Sequence, residues 1–322
     1  MPGYLWHDGT PLDVQLVVFG KDGTLLDYRA SWLPALRECA EAVAVAAGEP
    51  ALLPALLKAG GWQDTEQGPA VAPESIMHSG TNMELAQHWI ETQPMVAAHW
   101  ADAAALHAEM QAVYLKATVR DAAPLGAVRR ALEELRAAGV KLAVVTNDDE
   151  ALARAQLQKL GLEQHFELVV GADSGHGRKP GPGGIRAAMT AAGVTPLQTI
   201  MVGDAGTDLA AARAASCLFS VAIYPDGPVL PADLAGVACR LPSVQPLPQV
   251  LADAGHAALR RRLARARGSS IADDDTPDGG APQPQLEPKQ LLDAARALEL
   301  EPSLDPELLA VVDAMKPDVC AG

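Results

Sequence analysis

Short runs of apolar residues alternate along this chain with longer stretches in which apolar positions recur every three or four residues. Together the two periods predict a parallel sheet with helices on both faces, a Rossmann-like α/β arrangement. The short runs place strands at residues 14–19, 141–146, 166–170, 199–202 and 217–223. The clearest helical period follows Pro124: Val128, Leu132 and Leu135 share one face, Arg129, Arg130, Glu133, Glu134 and Arg136 fall mostly elsewhere, and Gly139 supplies the stop. Between Asp27 and about Ala123 the pattern turns to Ala-rich helices broken by Pro and Gly, with candidates at 32–47, 51–59, 83–89 and 94–117 and no strand. Residues 28–119 therefore read as an all-helical unit inserted into an α/β core of residues 1–27 and 120–265. Residues 266–285, rich in Asp, Gly, Pro and Ser, read as a disordered linker, and 286–322 as a helical tail with Leu291, Leu292, Leu298, Leu308 and Leu309 among its apolar positions.

Composition narrows the choice of partners. With 322 residues, 49% of them hydrophobic, the chain can bury a large core. A formal charge of −15 argues against nucleic acid and against an anionic membrane surface, leaving small molecules or proteins. The basic run Arg260-Arg261-Arg262 lies near Asp273-Asp274-Asp275 and reads as a solvated face. Cys39, Cys217, Cys239 and Cys320 form no Cys-x-x-Cys pair, which suggests neither a zinc site nor a disulfide framework and fits a cytoplasmic location. Neither a basic-then-apolar leader in residues 1–10 nor an apolar run of membrane-spanning length is present.

Candidate chemistry sits where strands end, the place an open α/β sheet puts its ligand. The first strand runs into Gly20-Lys21-Asp22-Gly23-Thr24, a polar turn. The second candidate is Thr146-Asn147, whose hydroxyl suits a phosphoryl oxygen, although such a pair after a strand is also ordinary turn chemistry. The third is Lys179, ahead of a Pro-Gly turn that opens a helix, where its ammonium can offset a phosphate or nearby carboxylates. The fourth is Asp204 and Asp208 in Gly203-Asp204-Ala205-Gly206-Thr207-Asp208. Two carboxylates four residues apart at a strand-to-helix turn suit Mg²⁺, and equally suit a helix cap. Arg29 and Ser31 follow the first turn, with a cap by Ser31 the simpler reading. Lys58 and Lys116 have no recognisable motif, and His78, His88, His99 and His107 have no metal-like spacing.

In this order the four motifs resemble those of the haloacid dehalogenase superfamily, in its phosphoglycolate phosphatase-like group, over roughly residues 14–254. The resemblance implies an α/β core with a helical cap that chooses the substrate, Mg²⁺ as cofactor, and hydrolysis of a small phosphorylated metabolite. It implies Asp22 as general acid/base, Thr146, Asn147 and Lys179 around the phosphate, and Asp204, Asp208 and the Asp22 backbone carbonyl at the metal. The first family motif is Asp-x-Asp-Gly-Thr, so the resemblance puts Gly20 at the position of the nucleophile. Two expectations follow: a phosphatase strongly impaired at Gly20, or a non-catalytic pseudoenzyme that binds phosphate esters and uses its tail or the cap for a protein partner or a second copy.

Overall fold

The computed structural model describes residues 4–7, 10–66, 68–72, 75–224, 234, 237 and 239–252. The linker, the tail and the Arg260–Arg262 run lie outside the described residues. A hairpin of β1 (Tyr4–His7) and β2 (Thr10–Asp13) precedes β3 (Leu16–Phe19). The helical unit then follows with α1 (Tyr28–Ala46), α2 (Leu53–Ala59), the strand pair β4 (Trp62–Thr65) and β5 (Gly68–Val71), α3 (Ile76–Ser79), α4 (Asn82–Thr92), α5 (Pro94–His99) and α6 (Ala103–Arg120). The chain returns through α7 (Val128–Ala137), β6 (Lys141–Val145), α8 (Glu150–Lys159), β7 (Leu168–Val170), α9 (Gly183–Ala192), β8 (Thr199–Gly203), α10 (Gly206–Ala214), β9 (Phe219–Ile223) and β10 (Cys239–Leu241).

Strands β10-β9-β8-β3-β6-β7 form one sheet in that order, all parallel. β3 lies between β6 and β8 and is buried on both sides, which is why it reads as a continuous apolar run rather than an alternation. Successive side chains point to opposite faces. Val17 and Phe19 join Val128, Leu132 and Leu135 of α7 and Ala153 and Leu157 of α8, whereas Leu16 and Val18 join Ile185 and Met189 of α9 and Ala211 and Ala212 of α10. The stripe expected on α7 is the buried one, and Gly139 after it takes the left-handed φ of 84° that ends the helix.

The helical unit has a core of its own, in which Leu36, Leu56, Leu85, Trp89 and Tyr114 are fully buried. Trp89 Nε1 donates to Leu56 O at 3.1 Å, so its polar edge is satisfied inside. The expectation that this unit has no strand is corrected by the β4–β5 hairpin. Only Trp62 of β4 is half-buried and the next three residues are exposed, so no alternating apolar pattern marks the strand. The chain enters and leaves the unit side by side, with Asp27 N donating to Ala123 O at 2.9 Å and Leu125 N to Leu25 O at 2.8 Å.

Candidate active site

The site is assembled by loops at the carboxyl ends of β3, β6 and β8 and by the loop ahead of α9. Gly20 continues β3, its N–H donating to Val202 O at 2.8 Å, and the chain then turns sharply, with Leu25 N and Leu26 N both donating to Lys21 O. Gly23 makes this turn possible. Its φ is +72°, and a Cβ there would stand 1.9 Å from Asp204 Oδ2, so the Asp204 carboxylate packs directly on the turn that carries the Asp22 carbonyl. Thr24, fully buried, donates its hydroxyl to Asp204 Oδ1 at 2.8 Å and ties the first loop to the fourth.

Asp208 takes one of the roles that the sequence left open, the cap, and adds an ion pair. Its Oδ2 accepts the backbone N–H groups of Asp204 (3.2 Å) and Ala205 (3.1 Å), capping the β8–α10 turn. Its Oδ1 lies 2.5 Å from Lys179 Nζ, an ion pair with both side chains nearly out of solvent. Lys179 in turn is fixed through its backbone: Asn147 Oδ1 accepts from Lys179 N at 2.8 Å, and Asn147 Nδ2 donates to Lys179 O at 3.1 Å. Asn147, expected near the phosphate, lines the cavity and also braces the lysine loop through its amide. Thr146 Oγ1 accepts from Asp148 N at 3.2 Å, a turn bond that leaves the hydroxyl proton uncommitted.

The residues that sequence reasoning missed are Lys21, Asp148 and Gln156. Lys21 is fully buried, with Nζ 2.6 Å from Asp22 Oδ2, 2.7 Å from Asp148 Oδ2 and 2.5 Å from Gln156 Oε1, and 5.8 Å from the centre of the Trp32 ring. Gln156 Nε2 donates onward to Thr118 O in α6, linking this cluster to the helical unit. Burial alone would depress the Lys21 pKa, but the Asp148 and Asp22 carboxylates outweigh it and hold the pKa above its ordinary value. Burial pushes Asp148 up to about 7, with Lys21 opposing and Asp22 adding to the rise. A lysine at the end of an otherwise apolar strand was the available signal, since a buried ammonium demands a carboxylate partner.

Burial likewise raises Asp204 to about 7, helped by the neighbouring charge of Asp208 and opposed by Thr24 and Lys179. A buried carboxylate short of positive charge, packed against the turn that bears the Asp22 carbonyl, fits a divalent cation with oxygen preference. Asp208 fits less well as a direct ligand, since Lys179 and two N–H groups already take its oxygens. Among the described residues, no group of three or more His, Cys, Asp or Glu side chains is placed to hold a metal. Gly20 stands beside these groups. A Cβ on it would meet Thr24 Oγ1 at 3.1 Å and both Asp208 carboxylate oxygens at 3.4 Å, so a Cβ is accommodated if the Thr24 hydroxyl gives by a few tenths of an ångström.

Asp22, Thr146, Asn147, Lys179, Asp204 and Asp208 all line one cavity of about 480 Å³, which the helical unit closes with Tyr28, Trp32, Ile76, Met77 and Asn82. Two of the other candidates, Arg29 and His78, also line this cavity. Asp27, not Ser31, caps α1 by accepting from Ala30 N at 3.1 Å, and Ser31 Oγ donates back to Asp27 O. Arg29 reaches Pro69 O in β5. His107 Nε2 lies 3.2 Å from Asp149 Oδ2, a contact between α6 and the β6 loop. Among the described residues no helix is long and apolar enough to cross a membrane.

A parallel sheet wound on both faces, with lysine, hydroxyl and carboxylate groups gathered at its carboxyl ends, defines an α/β protein whose charged side chains meet where such sheets place their ligands. Residues 14–216 match the family model of haloacid dehalogenase-like hydrolases. The chain belongs to that family. It is 43% identical over 84 residues to a phosphoglycolate phosphatase of Neisseria meningitidis, covering 26% of this chain and 36% of the relative. It is 30% identical over 202 residues to a phosphoglycolate phosphatase of Pseudomonas putida, covering 62% of this chain and 66% of the relative. The chain thus spans between about a third and two thirds of the length of these curated relatives. Among solved structures it is similar in fold to a predicted phosphoglycolate phosphatase of Haemophilus somnus, with a TM-score of 0.54 and 20% identity over 73% of this chain and 97% of that one. It is also similar to a putative beta-phosphoglucomutase of Thermotoga maritima, with a TM-score of 0.52 and 20% identity over 74% of this chain and 99% of that one.

Proposed function

We propose that this chain binds a phosphate monoester in the cavity under the helical unit, as a phosphoglycolate phosphatase-like member of its family, and hydrolyses it slowly because Gly20 stands where the family's nucleophile belongs. The observation that carries the reading is the convergence of Thr146, Lys179, Asp204 and Asp22 from four separate loops on one cavity. In this reading the Thr146 hydroxyl donates to a phosphoryl oxygen and the Lys179 ammonium offsets the phosphate's charge. The Asp204 carboxylate and the Asp22 backbone carbonyl hold Mg²⁺, which when bound supplies electrostatic stabilisation to the phosphoryl oxygens. The Asp22 carboxylate, its Oδ2 fixed by Lys21, serves as the proton-transferring group beside the ester oxygen. The helical unit acts as the cap.

Glycine has no side chain to attack phosphorus, so no aspartyl-phosphate forms on Gly20. The electrostatic elements that remain leave a rate on the order of a thousand-fold or more below that of an intact site. Gly20 also favours a second reading, a phosphate-ester-binding protein with no turnover. Calorimetric titration with 2-phosphoglycolate, with and without Mg²⁺, tests the shared core of both readings. Binding that strengthens with Mg²⁺, and whose dependence on Mg²⁺ is lost in Asp204→Asn, is the expected result. Absence of binding under either condition would contradict both. Slow turnover that disappears in Asp22→Asn separates the first reading from the second.

A further inference from the structure

The same cavity has two unlike ends. Its floor carries the charged groups, Asp22, Asp148, Lys179, Asp204 and Asp208, together with Thr146. The wall facing them is made largely of half-buried apolar and aromatic side chains: Tyr28, Ile76 and Met77 from the helical unit, and Leu125 and Tyr224 from the core. Tyr28 is held in place, its hydroxyl donating to Met77 O at 3.0 Å and its ring stacked on Trp32 with centroids 6.5 Å apart. Arg29, His78, Thr81 and Asn82 also line the cavity from the helical unit, and the Arg29 guanidinium donates to Pro69 O.

A two-carbon ester would leave much of this wall uncovered. The volume points the same way, since about 480 Å³ lies within the roughly 300–1,000 Å³ typical of pockets that enclose drug-sized ligands. A phosphate on the floor occupies a small part of it. A flat apolar ring attached to that phosphate would take the remainder, lying against Tyr28 and Tyr224 with Met77 adapting to its edge.

We propose that the preferred ligand is a phosphate monoester of an aromatic or otherwise flat apolar alcohol, selected by the Tyr28, Met77, Leu125 and Tyr224 wall. This rests on the reading of the floor as a phosphate site. The test is calorimetric titration of the full chain with inorganic phosphate, 2-phosphoglycolate and phenyl phosphate in parallel. Phenyl phosphate is expected to bind about tenfold or more tightly than either of the others, the gain coming from ring burial. Met77→Asp and Leu125→Asp, each checked for an unchanged thermal melt, are expected to abolish that gain while leaving inorganic phosphate binding within about twofold. If inorganic phosphate binds and phenyl phosphate binds no tighter than 2-phosphoglycolate, the inference about the wall is overturned and the phosphate site stands. If none of the three binds, the phosphate reading falls and the inference with it.

Discussion

Two adjacent residues set the character of this site. Gly20 leaves the end of β3 without a side chain, and Lys21 adds a buried ammonium whose partners, Asp22 and Asp148, come from two loops. Taking Lys21 away leaves two buried carboxylates without their cation, and breaking a buried pair in this way costs about 3–5 kcal/mol. Lys21→Met is therefore expected to lower unfolding stability by about that amount at pH 8, measured by urea denaturation, and by less at pH 5, where the Asp148 carboxyl can take a proton. The double variant Lys21→Met/Asp148→Asn should recover part of the loss, and strict additivity in that cycle would contradict the pairing. Lys21 was not legible as a site residue because its partners lie far along the chain and only the fold joins them. Gly20 stood out in the sequence because Asp22, Gly23 and Thr24 follow it.

The elements most legible in the sequence were those whose pattern follows from burial. The sheet's central strands read correctly because both faces are covered, and α7 because its apolar stripe is unbroken. Strand starts were read early: β3 begins at Leu16 rather than Val14, β7 at Leu168 rather than Phe166, and β9 at Phe219 rather than Cys217, since the flanking apolar residues pack without joining a ladder. α8 escaped because Gln156, fully buried, interrupts its apolar face to serve Lys21. Short pieces such as β10 and the β4–β5 hairpin carry too few inward residues to show a period. At this scale Asn147 is the joint between the β6 loop and the lysine loop. Asn147→Ala removes both of its bonds to Lys179 and is expected to cost about 1–3 kcal/mol of stability, read by chemical denaturation. It is also expected to weaken phosphate binding several-fold in calorimetry, and unchanged affinity would show that Lys179 needs no brace.

Over the whole molecule the site's charge links ligand, metal and stability. Asp148 and Asp204 both have folded pKa values near 7, raised from 3.8 by burial, so the folded state holds protons that the unfolded chain has released. Their contribution to stability is complete below about pH 4 and is lost as pH rises through 7. Without metal, the melting temperature should therefore drop on account of these groups between pH 4 and pH 8. Asp204→Asn should reduce the drop, and Mg²⁺ should stabilise the protein more at pH 8 than at pH 5 because it binds the ionised carboxylate. Equal Mg²⁺ effects at both pH values would argue against Asp204 as a ligand. The measurement that bears most directly on the whole account is Mg²⁺-dependent phosphate release from a panel of phosphomonoesters, comparing this chain with Gly20→Asp. A Cβ at Gly20 needs only a small shift of Thr24, and with the nucleophile restored the variant is expected to turn over on the order of a thousand-fold faster than the chain as it stands. Comparable rates from the two, or a folded Gly20→Asp protein with no turnover on any ester, would contradict the assignment of Gly20 as the missing nucleophile of a phosphatase site.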